Sequence, residues 1–303
     1  MFSLPLRDAR LFIALSLGMA GFAVKVHMFG IFCLPLPWIM KVTILQRDIA
    51  WGQPAVNRAL LEDDLLKEAK ADLFVLPEMF STGFATEPQG IAEQGPEPDS
   101  LLWMRRMAHL LDAALCGSIA VETAPGTFVN RLYFVQPDGE TTFYDKHHLF
   151  TYGGEHKRFS AGNERVVVTW KGVRILLMVC YDLRFPLWSR NHEDYDMAVY
   201  VASWPASRAS AWHTLLLARA IENQCYVVGV NRIGQDPNCL YSGGSMIVDP
   251  YGLPLAACPD NTACTASADI DMERLQAFRQ KFPVLKDADQ PEAGRKSANA
   301  APA

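Results

Sequence analysis

One stretch constrains the chain more than any other: Arg174-Ile-Leu-Leu-Met-Val-Cys180-Tyr181-Asp182-Leu-Arg184-Phe-Pro186. Ile175 to Val179 form an unbroken apolar run, the pattern of a strand covered on both faces. The run stops at Cys180, and Tyr181, Asp182 and Arg184 crowd polar groups just past the strand end. Pro186 suits the first turn of a following helix. A thiol at a strand-to-helix elbow is easily positioned and activated as a nucleophile. Free cysteine is also among the most buried residue types, so this stretch alone equally fits a Cys180 that only packs.

Around it, strands are expected at 41–48, 72–78, 116–122, 131–136, 141–146, 166–170, 173–179, 196–203, 225–233, 245–249 and 265–271, and helices at 54–70, 101–114, 208–223 and 272–281. Strands and helices alternate, then strands come in adjacent pairs, as at the turn Lys171-Gly172. That mixture predicts an α/β protein with mixed sheets, not a purely parallel doubly wound one. No G-x-G-x-x-G, no phosphate-binding G-x-x-x-x-G-K-[ST] and no G-x-S-x-G elbow is present.

Composition narrows the function classes. Half of the 303 residues are hydrophobic, 20% are charged and the net charge is -5, with no block of like charges to attract a nucleic acid. The seven cysteines are odd in number and lack zinc spacing, which reads as reduced, cytoplasmic usage. The N-terminus is unusual. Leu11 to Val24 is nearly uncharged, Lys25 and His27 interrupt it, and a second apolar run ends at Met40. The segment lacks a clean signal-peptide cleavage site, and its first run falls short of the roughly 20 residues that span a bilayer. The expectation is a protein that starts at Met40, where a strand begins at once, with no stable membrane partner.

Three ionisable residues close three strand-like runs: Glu78 after Leu-Phe-Val-Leu-Pro, Lys146 after Thr-Phe-Tyr-Asp, and Cys180. Ligands collect at the carboxyl ends of strands in open α/β sheets. Taken singly, Lys146 reads more readily as a solvated strand end and Glu78 as its structural partner. Together they form a nucleophile, a cation and a carboxylate. His147-His148 is adjacent in a strand-like run, a spacing that points two rings to opposite faces and suits no shared metal ion.

Leu76-Pro-Glu78-Met, Tyr144-Asp-Lys146-His-His-Leu149 and Cys180-Tyr-Asp-Leu-Arg-Phe-Pro186 resemble the three signature blocks of the nitrilase (carbon–nitrogen hydrolase) superfamily, in its order, over about residues 41–285. The resemblance implies a four-layer α-β-β-α sandwich, a Glu78-Lys146-Cys180 triad working without cofactor or metal, and a homodimer. It divides the chain into an extension at 1–39, a hydrolase domain at 40–289 and a flexible tail at 290–303. The expected chemistry is amide hydrolysis through a thioester. Lys146 lowers the thiol pKa and donates to the oxyanion, the Tyr181 backbone N–H is a second donor, and Glu78 moves protons. Glu155 resembles a second glutamate that holds the lysine, the alternative being one charge in a polar loop. Ala202-Ser203-Trp204-Pro205, Arg219-Ala-Ile-Glu222-Asn and Asn231-Arg232-Ile-Gly234 resemble the bacterial omega-amidases, with Ser203 standing where that branch has Asn. The resemblance implies a small-molecule amide substrate, 2-oxoglutaramate, hydrolysed to 2-oxoglutarate and ammonia. Arg184 and Arg232 are candidates for the substrate carboxylate or for braces, and Phe84 and Trp204 for pocket walls or core. Another carbon–nitrogen hydrolase, a carbamoylase or aliphatic amidase, is the competing reading. A non-catalytic binding protein on the same fold is a third.

Overall fold

The computed structural model describes residues 38–288, apart from Ala69. The expected tail and nearly all of the expected N-terminal extension lie outside the described residues. Ile39, assigned to that extension, already pairs with Asp271 in the first strand.

Two sheets carry the fold. In the first, strands lie in the order Cys264–Asp271, Ile39–Gln46, Leu73–Val75, Ala114–Ala124, Thr127–Val135, Thr141–Asp145. Ile39–Gln46, Leu73–Val75 and Ala114–Ala124 run parallel, and the flanking pairings are antiparallel. The second sheet follows the order Pro254–Ala257, Met246–Val248, Tyr226–Asn231, Met197–Ala202, Val173–Val179, Val167–Trp170, again with three central parallel strands and antiparallel flanks. The expected mixed sheets are present.

Side-chain alternation sorts the layers. Met40, Val42, Ile44, Val75, Cys116, Leu132 and Phe134 from the first sheet meet Ile175, Leu177 and Val199 of the second in one buried cluster. The opposite face of the first sheet presents Leu45, Phe74, Leu115 and Val135 to Leu61, Leu65, Met104 and Met107 of the helices Pro54–Lys67 and Asp99–Leu111. The second sheet is covered by Trp212, Leu216 and Ala220 of the helix Ala209–Asn223 and by Met272 and Leu275 of Met272–Lys281. The order helix, sheet, sheet, helix is the expected four-layer sandwich. Gly229 in Tyr226–Asn231 lets the third helix lie close: a Cβ there would stand 2.5 Å from Leu216 Cδ1.

Several local expectations change. The strand expected at 72–78 ends at Val75, because Leu76 to Glu78 turn away to bring the carboxylate into the interior. Pro186 opens no helix. A 3-10 turn, Cys180–Arg184, takes that place, and Asp182 in its first turn receives the Val179 N–H at 3.0 Å. The His147 and His148 rings do not diverge, since the strand ends at Asp145. They meet edge to face at 4.5 Å, one stacked on Trp188 and the other on Phe185.

Candidate active site

Glu78, Lys146 and Cys180 leave three strands at the same end of the sandwich. Glu78 lies three residues past Leu73–Val75, Lys146 one past Thr141–Asp145 and Cys180 one past Val173–Val179. The turns are tight enough to force left-handed backbone on non-glycine residues, φ 46° at Cys180 and 44° at Met79 beside Glu78. Such conformations cost energy and persist where surrounding contacts impose them. At Cys180 the constraint is Asp182, which accepts the Val179 N–H, the His148 N–H at 2.9 Å and the Tyr144 hydroxyl at 2.8 Å. One buried carboxylate thereby ties the Cys180 turn to the strand that delivers Lys146.

The central array is shut away from solvent. Glu78, Lys146 and Glu155 are fully buried, and Cys180 is 8% exposed. Lys146 Nζ donates to Glu78 Oε1 at 2.9 Å and to both Glu155 oxygens at 2.9 and 3.1 Å. Glu155 is therefore a bonded partner of the lysine and not a loose loop charge. It is held in turn by the Phe150 N–H at 2.6 Å. Glu78 Oε2 accepts the Ser203 N–H at 2.7 Å, and Oε1 accepts Asn130 Nδ2 at 2.8 Å. Asn130 also reaches Glu155 Oε1 at 3.3 Å.

Asn130 and the Ser203 N–H were not singled out by the sequence, and Asp182 was noted there without a role. Asn130 sits mid-strand with no motif around it. Asp182 falls inside the Cys180 block and was the one legible signal. Ser203 gives Glu78 two contacts: its backbone N–H, which Asn in the same place would supply equally, and its hydroxyl, which donates to the Glu78 carbonyl oxygen at 3.3 Å.

The electrostatics show what opposes the expected effect of Lys146 on the thiol. Burial raises the Cys180 thiol well above its ordinary range, the Glu78 carboxylate raises it further, and Lys146 pulls it down too weakly to win. Lys146 does lower it, but shares its charge with two carboxylates. Burial disfavours its ammonium, but Glu155, Glu78 and Cys180 outweigh that and hold the pKa above the ordinary value. Burial also raises Glu155, Lys146 opposes, and Glu78 adds to the rise. Two carboxylates facing one ammonium suit a proton acceptor for a neutral thiol.

Cys180 opens onto a cavity of about 300 Å³. Phe84, Tyr181, Arg184 and Trp204 line it, as the sequence suggested. Phe84 also faces Lys146 Nζ, 5.2 Å from its ring centre. Tyr181 is the second residue of the 3-10 turn, where a backbone N–H has no partner inside the turn. Arg232 does not belong to this wall. Its side chain is fully buried and donates to Asp48 Oδ1 at 2.8 Å, Ile49 O at 3.1 Å and Ile233 O at 3.0 Å. It braces the loop after the first strand, the alternative the sequence left open. The cavity holds residues the sequence did not suggest, among them Phe150, Tyr152, Arg208 and Tyr241.

A thiol at a strained strand end, beside a buried carboxylate–lysine–carboxylate array and an apolar cavity, defines a cysteine hydrolase centre. The carbon-nitrogen hydrolase family model matches residues 41–280. The omega-amidase YafV of Yersinia enterocolitica is 48% identical over 254 residues, covering 82% of this chain and 97% of that protein. The 2-oxoglutaramate amidase of Bacillus subtilis is 36% identical, covering 82% and 98%. The crystal structure of XC1258 from Xanthomonas campestris, a CN-hydrolase superfamily protein with an arsenic adduct in its active site, superposes with a TM-score of 0.81 at 40% identity, covering 84% and 99%. The chain belongs to the carbon–nitrogen hydrolase family. It is a hydrolase of the amidase kind, as the blocks around Glu78, Lys146 and Cys180 led one to expect.

Proposed function

We propose that the protein is an omega-amidase that hydrolyses the terminal amide of 2-oxoglutaramate to 2-oxoglutarate and ammonia. The observation that carries the mechanism is the contact set of Lys146, which joins Glu78 and Glu155 beside the Cys180 thiol. The substrate rests on the similarity to the omega-amidase of Yersinia and the 2-oxoglutaramate amidase of Bacillus subtilis.

Glu78 takes the Cys180 proton as sulfur attacks the amide carbon. Lys146 and the Tyr181 N–H donate to the oxyanion, worth about 10²–10³ in rate for one such donor. Glu78 gives its proton to the departing nitrogen, so ammonia leaves and a thioester stays on Cys180. Water then attacks the thioester, Glu78 accepts its proton, and sulfur leaves as the thiol to restore the starting state. Glu155 and Asn130 hold the lysine and the base without touching the reacting atoms.

The catalytic unit is residues 40–289, acting in the cytoplasm as a homodimer. The six cysteines among the described residues are all free, which suits a reducing compartment. Exposed Ile221, Tyr251, Leu253 and Phe282 supply apolar surface of the kind subunits cover. No helix among the described residues is long and apolar enough to cross a membrane.

The test is ammonia release from 2-oxoglutaramate by the purified protein beside Cys180→Ala. Release by the wild type alone supports triad and substrate together. Activity on other amides or carbamoyl compounds but not on 2-oxoglutaramate would keep the triad and reject the substrate.

A further inference from the structure

Almost all the arginines among the described residues are spoken for. Among the described residues, each one except Arg184 and Arg208 either pairs with a carboxylate or donates to a backbone carbonyl. The two exceptions line one cavity, the one onto which Cys180 opens. Both are partly buried, where an unpaired charge is costly unless something partners it.

Their placement is built. The Arg184 guanidinium lies 4.9 Å from the Trp204 ring centre, and that of Arg208 lies 5.3 Å from Phe150 and 5.6 Å from Tyr152. Trp204 Nε1 donates to the Arg208 carbonyl at 2.8 Å, so one tryptophan supports both arginines. Aromatic contact on a guanidinium face leaves the planar edge of N–H donors free, the geometry that grips a carboxylate by two parallel hydrogen bonds. Asp236 is the one carboxylate lining the cavity, and it is engaged with the Asn238 and Cys239 N–H groups at 2.7 Å each and the Tyr241 hydroxyl at 2.5 Å.

We propose that Arg208, together with Arg184, forms a two-guanidinium seat for the carboxylate at the far end of the substrate, making this centre selective for anionic amides. The inference rests on the amidase reading of the Cys180 centre and replaces Arg232 as the specificity determinant. Arg208 touches the end of the substrate remote from the chemistry, so its contribution falls on binding.

The experiment compares wild type, Arg208→Gln and Arg208→Lys on three amides: 2-oxoglutaramate, succinamate as a simpler anion, and neutral butyramide. Arg208→Gln is expected to lower kcat/KM on the two anions roughly 10- to 100-fold, mainly through KM, as loss of a charge-assisted pair predicts. Its preference for anions over butyramide collapses by the same factor. Arg208→Lys, which keeps the charge but loses the fork, falls between. For the wild type, KM on the anions rises with added salt while KM on butyramide does not. An unchanged anion-to-neutral ratio in Arg208→Gln overturns the proposal. If that variant does not fold, a wild-type anion KM indifferent to salt overturns it. A wild type inactive on 2-oxoglutaramate yet active on succinamate, with the ratio collapsing in Arg208→Gln, rejects the substrate and keeps the seat. A wild type that prefers butyramide over both anions rejects the seat.

Discussion

The Tyr144 hydroxyl donates to Asp182 Oδ2 at 2.8 Å, and this bond joins the strand before Lys146 to the turn that carries Cys180. Asp182 also takes the Val179 and His148 backbone N–H groups, so one carboxylate registers the two sheets at the reacting end. Trp188 Nε1 and the His147 N–H donate to the Tyr144 oxygen at 3.1 Å each and hold the phenol in line.

Asp182→Ala is expected to strand these buried donors and destabilise the protein by about 3 kcal/mol, with activity falling as the Cys180 turn relaxes. Tyr144→Phe removes one bond and costs about 1 kcal/mol. Urea unfolding of both variants checks the order, and a Tyr144→Phe loss equal to that of Asp182→Ala would contradict it.

Glu155→Gln removes one of the two negative charges that sustain the Lys146 ammonium. Glu155 raises the Lys146 pKa, so its loss lowers that pKa and moves the alkaline limb of the pH–rate profile to lower pH. kcat is expected to fall at least 100-fold, the order of one lost oxyanion donor. An alkaline limb that stays in place while kcat falls would mean that Glu155 acts on shape alone.

Asn130→Ala leaves Glu78 with its lysine and Ser203 contacts but frees the edge where Asn130 bridges two carboxylates. A loss of about 10- to 100-fold in kcat with little change in KM is expected, from one hydrogen bond to a charged group. A defect confined to KM would move Asn130 from the base to the substrate.

Alkaline stability follows from groups that hold protons more tightly when folded. Burial pushes Cys225 from 9.0 up to about 12, and burial likewise raises Cys180. A raised folded pKa contributes stability that is whole below the unfolded value and is lost as pH rises toward the folded one. Thermal stability is therefore expected to fall from about pH 9 upward, by up to about 1.4 kcal/mol per pH unit for each such group. Cys225→Ala lowers Tm at neutral pH by opening a cavity but shows a shallower alkaline decline. Parallel declines in the two proteins would refute the linkage.

Gly229→Ala places a Cβ 2.5 Å from Leu216 Cδ1 and 3.0 Å from the Trp212 ring. Overpacking of this kind costs about 1–3 kcal/mol. Since Gly229 precedes Asn231, which receives the Trp204 N–H, the same change is expected to loosen the cavity wall. A Tm shift without a rise in KM would confine the effect to the core.

Chain-local chemistry determined much of this protein. Ile175 to Val179 announce a strand buried on both faces, because no polar group interrupts the run. Glu78, Lys146 and Cys180 are legible because each sits in a distinctive block at the end of a strand, where hydrogen bonding to the sheet stops and a side chain is free to serve a site. The helix Pro54–Lys67 is legible from Pro54 and from the Leu61–Leu65 stripe, which are features within one or two turns. What tertiary structure alone decided are relations between distant segments. Lys146 follows a strand, Glu78 lies past another and Glu155 opens a 3-10 turn, so segments far apart in the chain match the lysine's charge, and burial raises the thiol pKa despite the nearby cation. Asn130 joins the site because mid-strand side chains of one sheet face the other, which no local pattern marks. Arg232 and Arg208 look alike in the chain. One is tied through Nε and one guanidinium nitrogen to Asp48 and backbone carbonyls, the other is left free above two aromatic rings, and only the packing of the loops around the cavity separates them.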